Sequence, residues 1–179
     1  MKTKYYSYLL IILINSLLLM SACATDIRPI GQQIDDKKNQ SVLQGKYNDK
    51  HVFDSSNISV NIYYGTALLT GQTKQQKQKE EAENLAKSTV GINKVYNYII
   101  IGQPISIAAA STDTIITTKI IAKMFNNSKV DSNKIKIVTS NKVVYVMGML
   151  SHQEAEEITR IISYIPNVTK VVVLFSYLD

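Results

Sequence analysis

Few side chains in this 179-residue chain could do covalent or metal chemistry. Cys23 is the single cysteine, so no disulfide can form within the chain. The two histidines, His51 and His152, have no Cys, Asp or Glu at a spacing that resembles a metal site, and no metal is expected. The acidic groups Glu80, Glu81, Glu83 and Glu154, Glu156, Glu157 read as solvated helix faces, not as an acid–base pair. There is no G-x-S-x-G, no phosphate loop and no nucleophile beside a base. The expectation is a binding protein with neither catalytic residues nor a cofactor. The net charge is +6, of which Lys2 and Lys4 supply two units, and the rest is too weak an excess to argue for nucleic acid. That leaves the thiol of Cys23 and the apolar surfaces.

Cys23 sits at the end of a leader. Lys2 and Lys4 make a positive start, Tyr5 to Met20 is apolar apart from Asn15 and Ser16, and Ser21, Ala22, Cys23 and Ala24 follow. This pattern reads as a secretory signal peptide over residues 1–22. The apolar run is short of the ~20 residues that a membrane span needs. Leu19-Met-Ser-Ala-Cys23 resembles a bacterial lipobox, with Met20 where Leu, Val or Ile is usual. The resemblance implies that Cys23 becomes the acylated N-terminus, a firm anchor when several chains are attached. Ala24, where an Asp would retain the protein at the inner membrane, then implies the outer membrane. Residues 23–33, with Asp26, Arg28, Pro29 and Gly31, read as a flexible tether.

Beyond the tether the chain repeats itself. At an offset of 77, Phe53-Asp-Ser55, Ile58-Ser-Val60 and Leu69-Thr-Gly71 lie over Val130-Asp-Ser132, Ile135-Lys-Ile137 and Val146-Met-Gly148. Further on the offset is 76, with Ala82, Leu85, Ala86, Ile92 and Val95 over Ile158, Ile161, Ile162, Val168 and Val171. Matched punctuation in one register marks two copies of one unit. Each copy reads helix, hairpin, helix, strand. In the second, Lys134–Ser140 and Val143–Met149 flank an Asn141-Lys142 turn, Ser151-His-Gln-Glu154 resembles a capping box, and Thr169–Tyr177 is the last strand. In the first, strands are expected at Ile58–Tyr63, Thr66–Thr70 and Lys94–Ile101, with a helix over Gln75–Ser88. Gly71 and Gly148 are expected to close the second strand of each copy and to meet a backbone constraint there. The domains are set at residues 34–101 and 107–179, joined by residues 102–106.

The first helix of the second copy is unusual. It is expected over Asp113–Phe125, with Asp113 as its N-cap. Ile116, Ile120 and Met124 form one core-facing stripe. The other side is not polar: Ile115, Thr118, Ile121, Ala122 and Phe125 fall together, flanked by Lys119 and Lys123. The matching positions of the first copy are Lys38, Ser41, Gln44, Gly45 and Asn48, against core positions Asn39, Leu43 and Tyr47. The fold therefore does without an apolar outer face in one copy. In the other, that face is left to contact a membrane, pack on the first domain, or take a protein partner.

An αββαβ unit with a glycine in its second strand, present twice behind a lipobox, resembles the BON domain. Tyr96-Asn-Tyr-Ile-Ile-Ile-Gly-Gln-Pro-Ile105 and Asp113-Thr-Ile-Ile-Thr-Thr-Lys119 resemble the linker and second-domain helix of dual-BON outer-membrane lipoproteins. The resemblance implies an α+β fold with two tandem domains, each a three-stranded mixed sheet packed on two helices. It implies binding of anionic phospholipid, notably phosphatidylglycerol, through Ile115, Thr118, Lys119, Ile121, Ala122, Lys123 and Phe125. It further implies a place facing the periplasm, enrichment at division sites, support of envelope integrity, and links to outer-membrane assembly machinery and amidase activators. Ile115 stands where that family has a membrane-inserting Trp, and Phe125 where it has a Leu. Isoleucine keeps the apolar burial without the interfacial preference of indole.

Overall fold

The computed structural model describes residues 28–49, 51–125, 127 and 129–178. The leader, Cys23 and the expected tether as far as residue 27 lie outside the described residues. The first copy runs α1 (Ile30–Tyr47), β1 (Asn57–Tyr63), β2 (Thr66–Thr73), α2 (Gln76–Lys87), β3 (Lys94–Asn97) and β4 (Ile100–Ile101). The second runs α3 (Ile107–Phe125), a 3-10 turn (Ser132–Lys134), β5 (Ile135–Ser140), β6 (Val143–Leu150), α4 (His152–Ser163) and β7 (Lys170–Tyr177).

In each copy a two-residue hairpin pairs the first two strands antiparallel, and the later helix crosses over to a strand parallel to the second. The central strands are β2 and β6. The expected single strand over 94–101 is two segments, because Asn97 turns its amide oxygen to the Ile99 N–H at 3.1 Å and Ile99 drops into the core. The first sheet therefore has four strand segments and the second three.

Both hairpins turn through left-handed residues, Tyr64 (φ 50°) with Gly65 (φ 66°) and Asn141 (φ 52°) with Lys142 (φ 63°), as a type I′ turn requires. Each turn is held by a buried carboxylate from the helix before it. Asp36 accepts the Tyr64 and Gly65 N–H groups at 2.8 and 3.0 Å. Asp113 accepts those of Asn141 and Lys142 at 2.7 and 2.8 Å. This corrects the expectation that Asp113 caps its helix: α3 begins at Ile107, and Asp113 lies inside it, 6% exposed. Likewise α1 begins at Ile30, so residues 30–33 are helix and not tether. Its start is pinned by Gln32 and Arg28, both bonded to Asp36.

The glycines do not close their strands. Gly71 and Gly148 lie inside β2 and β6, opposite Ile58 and Ile135. Gly71 has φ +108°, and a Cβ there would collide with the Asn57 carbonyl; a Cβ on Gly148 would come within 2.9 Å of the Lys134 carbonyl. Close approach of the paired strand is the constraint.

Each sheet packs one face on its own helices. Leu43, Tyr47, Val60, Ile62, Leu69 and Ala82 fill the first core, and Ile116, Ile120, Met124, Val146, Leu150 and Ile158 the second. Asn39 is not a core residue; it donates to the Val90 carbonyl at 2.9 Å. The other faces of the two sheets pack on each other. Tyr63 and Leu68 meet Tyr145, Met147 and Leu174, with the Tyr98 and Tyr145 rings 4.9 Å apart. Burial pushes the Tyr145 phenol up to about 12, with Tyr98 adding to it. Lys136 reaches across to Gln40 at 2.9 Å and to the Ile62 carbonyl at 3.3 Å. The result is a four-layer stack, helices–sheet–sheet–helices. Central strands buried on both faces read as the continuous apolar runs Ala67-Leu-Leu69 and Val143-Val-Tyr-Val-Met147.

At the start of α4 the capping box is complete: Glu154 N–H donates to Ser151 Oγ and Ser151 N–H to the Glu154 carboxylate. Glu154 also holds Lys134 at 2.9 Å, which joins the 3-10 turn to α4.

Two expectations follow. Asp113→Ala strands two turn N–H groups and should cost on the order of 2–3 kcal/mol in urea denaturation. Asp113→Asn, keeping one acceptor, should cost less. A loss of only about 0.5 kcal/mol, the level of ordinary surface changes, would show that the turn does not depend on the carboxylate. The Lys134 bond, then the Ser151 backbone bond, lowers the Glu154 pKa. A depressed carboxyl contributes stability that is fully present above the unfolded value of about 4.3 and lost as pH falls through the folded value. Glu154→Gln should therefore lower the melting temperature at neutral pH and converge with the parent at the acid end. A constant difference across the range would remove the pair from the pH dependence.

Candidate functional site

The hairpin carboxylate and the core stripe fix how α3 is rotated. Ile116, Ile120 and Met124 are at most 1% exposed, and Thr117 Oγ1 meets Thr139 Oγ1 of β5 at 2.7 Å. The residues opposite must then look outward. Ile115 is 55% exposed, Ile121 51% and Phe125 83%, and Thr118, Lys119, Ala122 and Lys123 are exposed with them. The structure thus brings together all seven residues expected to form the face. The first domain does not cover them, because the domains meet sheet to sheet.

The polar atoms on this face are arranged to suit an apolar neighbour. Thr114 and Thr118 donate their hydroxyls to the carbonyls of Ala110 and Thr114, at 3.1 and 2.9 Å. Their donors are satisfied within the helix, and what they show outward is largely methyl. Lys119 and Lys123 lie along one edge, and among the described residues neither is in an ion pair.

The two edges differ. On one, Thr118 borders a cleft of about 330 Å³ between the domains, lined also by Gln72, Asp113 and Thr139. On the other, Lys119, Ala122 and Lys123 border an open groove of about 650 Å³ completed by Tyr164, Ile165 and Pro166 at the end of α4. Tyr164 is 78% exposed. Reading the sequence missed these three, since nothing local marks them as neighbours of a helix some 40 residues earlier.

The first copy shows what the fold does without this face. Lys38, Ser41, Gly45 and Asn48 are exposed, as expected. Gln44 is not on the outer face. It folds onto the open edge of β1, taking the Val60 N–H at 3.1 Å and giving a hydrogen to the Ile58 carbonyl at 2.8 Å. Gln40 takes the Ile62 N–H at 3.2 Å. The same offset puts Ile121 and Thr117 at these positions in α3. Neither isoleucine nor a threonine already bonded to Thr139 can seal a strand edge in this way.

The remaining chemistry-bearing residues do not converge. His152 stacks on Tyr177 with centroids 3.9 Å apart, and His51 lies in the loop after α1. Among the described residues no three His, Cys, Asp or Glu side chains could hold a metal, and no helix is long and apolar enough to cross a membrane.

Comparison with known proteins bears on most of the chain. The BON domain matches residues 35–103 and 112–179. The outer membrane lipoprotein DolP of Haemophilus influenzae is 33% identical over 157 residues, 87% of this chain and 81% of that protein. The 21 kDa hemolysin of Actinobacillus pleuropneumoniae is 32% identical over 155 residues, 86% and 80% of the two chains. The osmotically-inducible protein Y of Escherichia coli is 25% identical over 150 residues, 80% and 75%.

The exposure of the face sets an expectation for stability. Ile115→Asp and Phe125→Asp should stay within about 0.5 kcal/mol of the parent, as surface changes do, whereas Ile120→Asp should unfold the second domain. Thermal melts of the three variants check this. A collapse of Phe125→Asp would mean that the face packs against the protein itself.

Proposed function

We propose that this chain, which belongs to the BON-domain family and carries two copies of the domain, is a non-enzymatic lipoprotein of the outer membrane that binds anionic phospholipid through the outward face of α3. The observation that carries the reading is an exposed apolar stripe, Ile115, Ile121 and Phe125, beside two lysines that form no ion pair among the described residues, on a helix whose matching positions in the first copy, Lys38, Gln44 and Asn48, are polar. Full burial of each large side chain is worth roughly 1.5–3 kcal/mol, and each lysine adds about 1 kcal/mol near anionic headgroups. Partial insertion yields less, so the helix alone binds weakly. An acylated Cys23 supplies the second signal that stable membrane residence needs and raises the local concentration of the helix at the surface.

The similarity to an outer membrane lipoprotein supports the same location for this chain; in the proposed arrangement it is held from Cys23 and faces the periplasm. Support of envelope integrity, enrichment at division sites and contact with outer-membrane assembly machinery or amidase regulators complete the proposal. A protein partner on the same apolar face is the alternative outcome.

The test is vesicle co-sedimentation of a soluble form lacking residues 1–23. The parent should bind phosphatidylglycerol vesicles more strongly than phosphatidylcholine ones. Ile115→Asp and Phe125→Asp should each weaken binding at least about tenfold, the equivalent of 1.4 kcal/mol. Lys119→Glu with Lys123→Glu should remove the preference for the anionic lipid, and added salt should weaken the parent in the same direction. If the parent ignores phosphatidylglycerol, the face serves a protein partner and membrane residence rests on Cys23 alone.

A further inference from the structure

The groove beside α3 is not explained by an apolar stripe alone. Two lysines one helical turn apart line it together with Ala122, and the exposed Tyr164 lines it from the end of α4. Ala122 belongs to both surfaces, so the groove is continuous with the outward face of α3.

The backbone at Tyr164 is tied to the end of α4. Its N–H donates to the Ile161 carbonyl at 3.4 Å. The next residue, Ile165, is 5% exposed and anchors the chain in the second core, and Asn167 (φ 70°) turns it away. Glu157, earlier on α4, is already occupied. It takes two bonds from Arg160, at 2.9 and 2.7 Å, and one from Asn127 at 2.8 Å. First Arg160 and then Asn127 lower its pKa to about 2. Lys119 and Lys123 are the charged residues that line the groove.

The first copy again shows what the fold does not require. The repeat offsets place Val42 and Lys46 at the lysine positions and Ser88 at Tyr164. One cation and the aromatic ring are present only in the second domain.

We propose, resting on the reading above, that the lipid-binding surface extends from α3 onto the end of α4. There Lys119, Lys123 and Tyr164 form a seat for the phosphate of one anionic phospholipid, whose acyl chains run along Ala122, Ile115 and Phe125. Two ammonium groups flanking one groove match a phosphodiester monoanion. A tyrosine with its ring toward the acyl boundary and its hydroxyl toward the headgroup suits the membrane interface.

The chain has no tryptophan, so a single substitution makes a reporter without background. Tyr164→Trp, Ile115→Trp and Val90→Trp would be made in the full-length chain, each protein reconstituted into liposomes of phosphatidylglycerol mixed with phosphatidylcholine, or of phosphatidylcholine alone. Val90 is 92% exposed on the first domain, outside the proposed surface, and serves as the control. The Tyr164→Trp emission should shift to the blue and be quenched by brominated acyl chains in the phosphatidylglycerol liposomes, together with Ile115→Trp. Both effects should be lost in phosphatidylcholine and in high salt. If Ile115→Trp responds and Tyr164→Trp behaves like Val90→Trp, the extension onto α4 falls and the α3 reading stands. If Tyr164→Trp responds equally in both lipids, the phosphate seat falls. If neither tryptophan responds, both readings fall.

Discussion

Two buried carboxylates hold this architecture in register. Asp36 and Asp113 occupy the same place in the two copies, inside the first helix, and each accepts both N–H groups of the following hairpin turn. A type I′ turn points these donors away from its own strands, and a carboxylate with two oxygens matches the pair. The contact ties a helix to a turn about 28 residues further along the chain. It sets how far the helix slides along the sheet and which side it turns inward. What α3 shows to solvent depends on that rotation. The copies support their carboxylates differently: Asp36 has Arg28 and Gln32 beside it, whereas Asp113 has the backbone donors of its turn.

Much of this could be read from residues alone. The repeat, the hairpins, the capping box at Ser151 and the two-sided α3 all announce themselves through period and punctuation. What could not be read is tertiary in origin. An aspartate at the head of a periodic apolar run is a sound N-cap by local rules, yet Asp113 serves a turn distant in sequence, and α3 starts at Ile107. Gln44 falls on the outer stripe by helical period, yet its amide is drawn to the unpaired edge of β1. Gly71 and Gly148 announce a backbone constraint but not its cause, which is the carbonyl of a paired strand. Tyr164 looks like an ordinary end of a helix until Lys119 and Lys123 are placed beside it.

The copies have divided their labour within one scaffold. The first domain spends its helix side chains on itself: Gln40 and Gln44 cover the edge of β1, where an open strand invites unwanted pairing. The second has released those positions. Thr117 bonds to Thr139 and Ile121 looks outward, so α3 is freed for an external surface. The sheet-to-sheet contact makes this possible. By using the inner faces of both sheets, it leaves the outer side of each helical layer independent of the other domain.

The layering also fixes a matter of reach. Helices lie outside both sheets, and successive layers are spaced roughly 10 Å apart, so the helical layers of the two domains lie about 30 Å apart. The chain enters the fold at Ile30, in the helical layer of the first domain. The seven residues from Cys23 to Pro29 can stretch at most about 25 Å. With Cys23 held in a bilayer and α3 laid on the same bilayer, the leash is too short for the stack to stand upright on its second domain. In that proposed arrangement the molecule would have to lean, bringing the entry point of α1 down toward the lipid and leaving the far corner of the first domain as the part most open to the aqueous side.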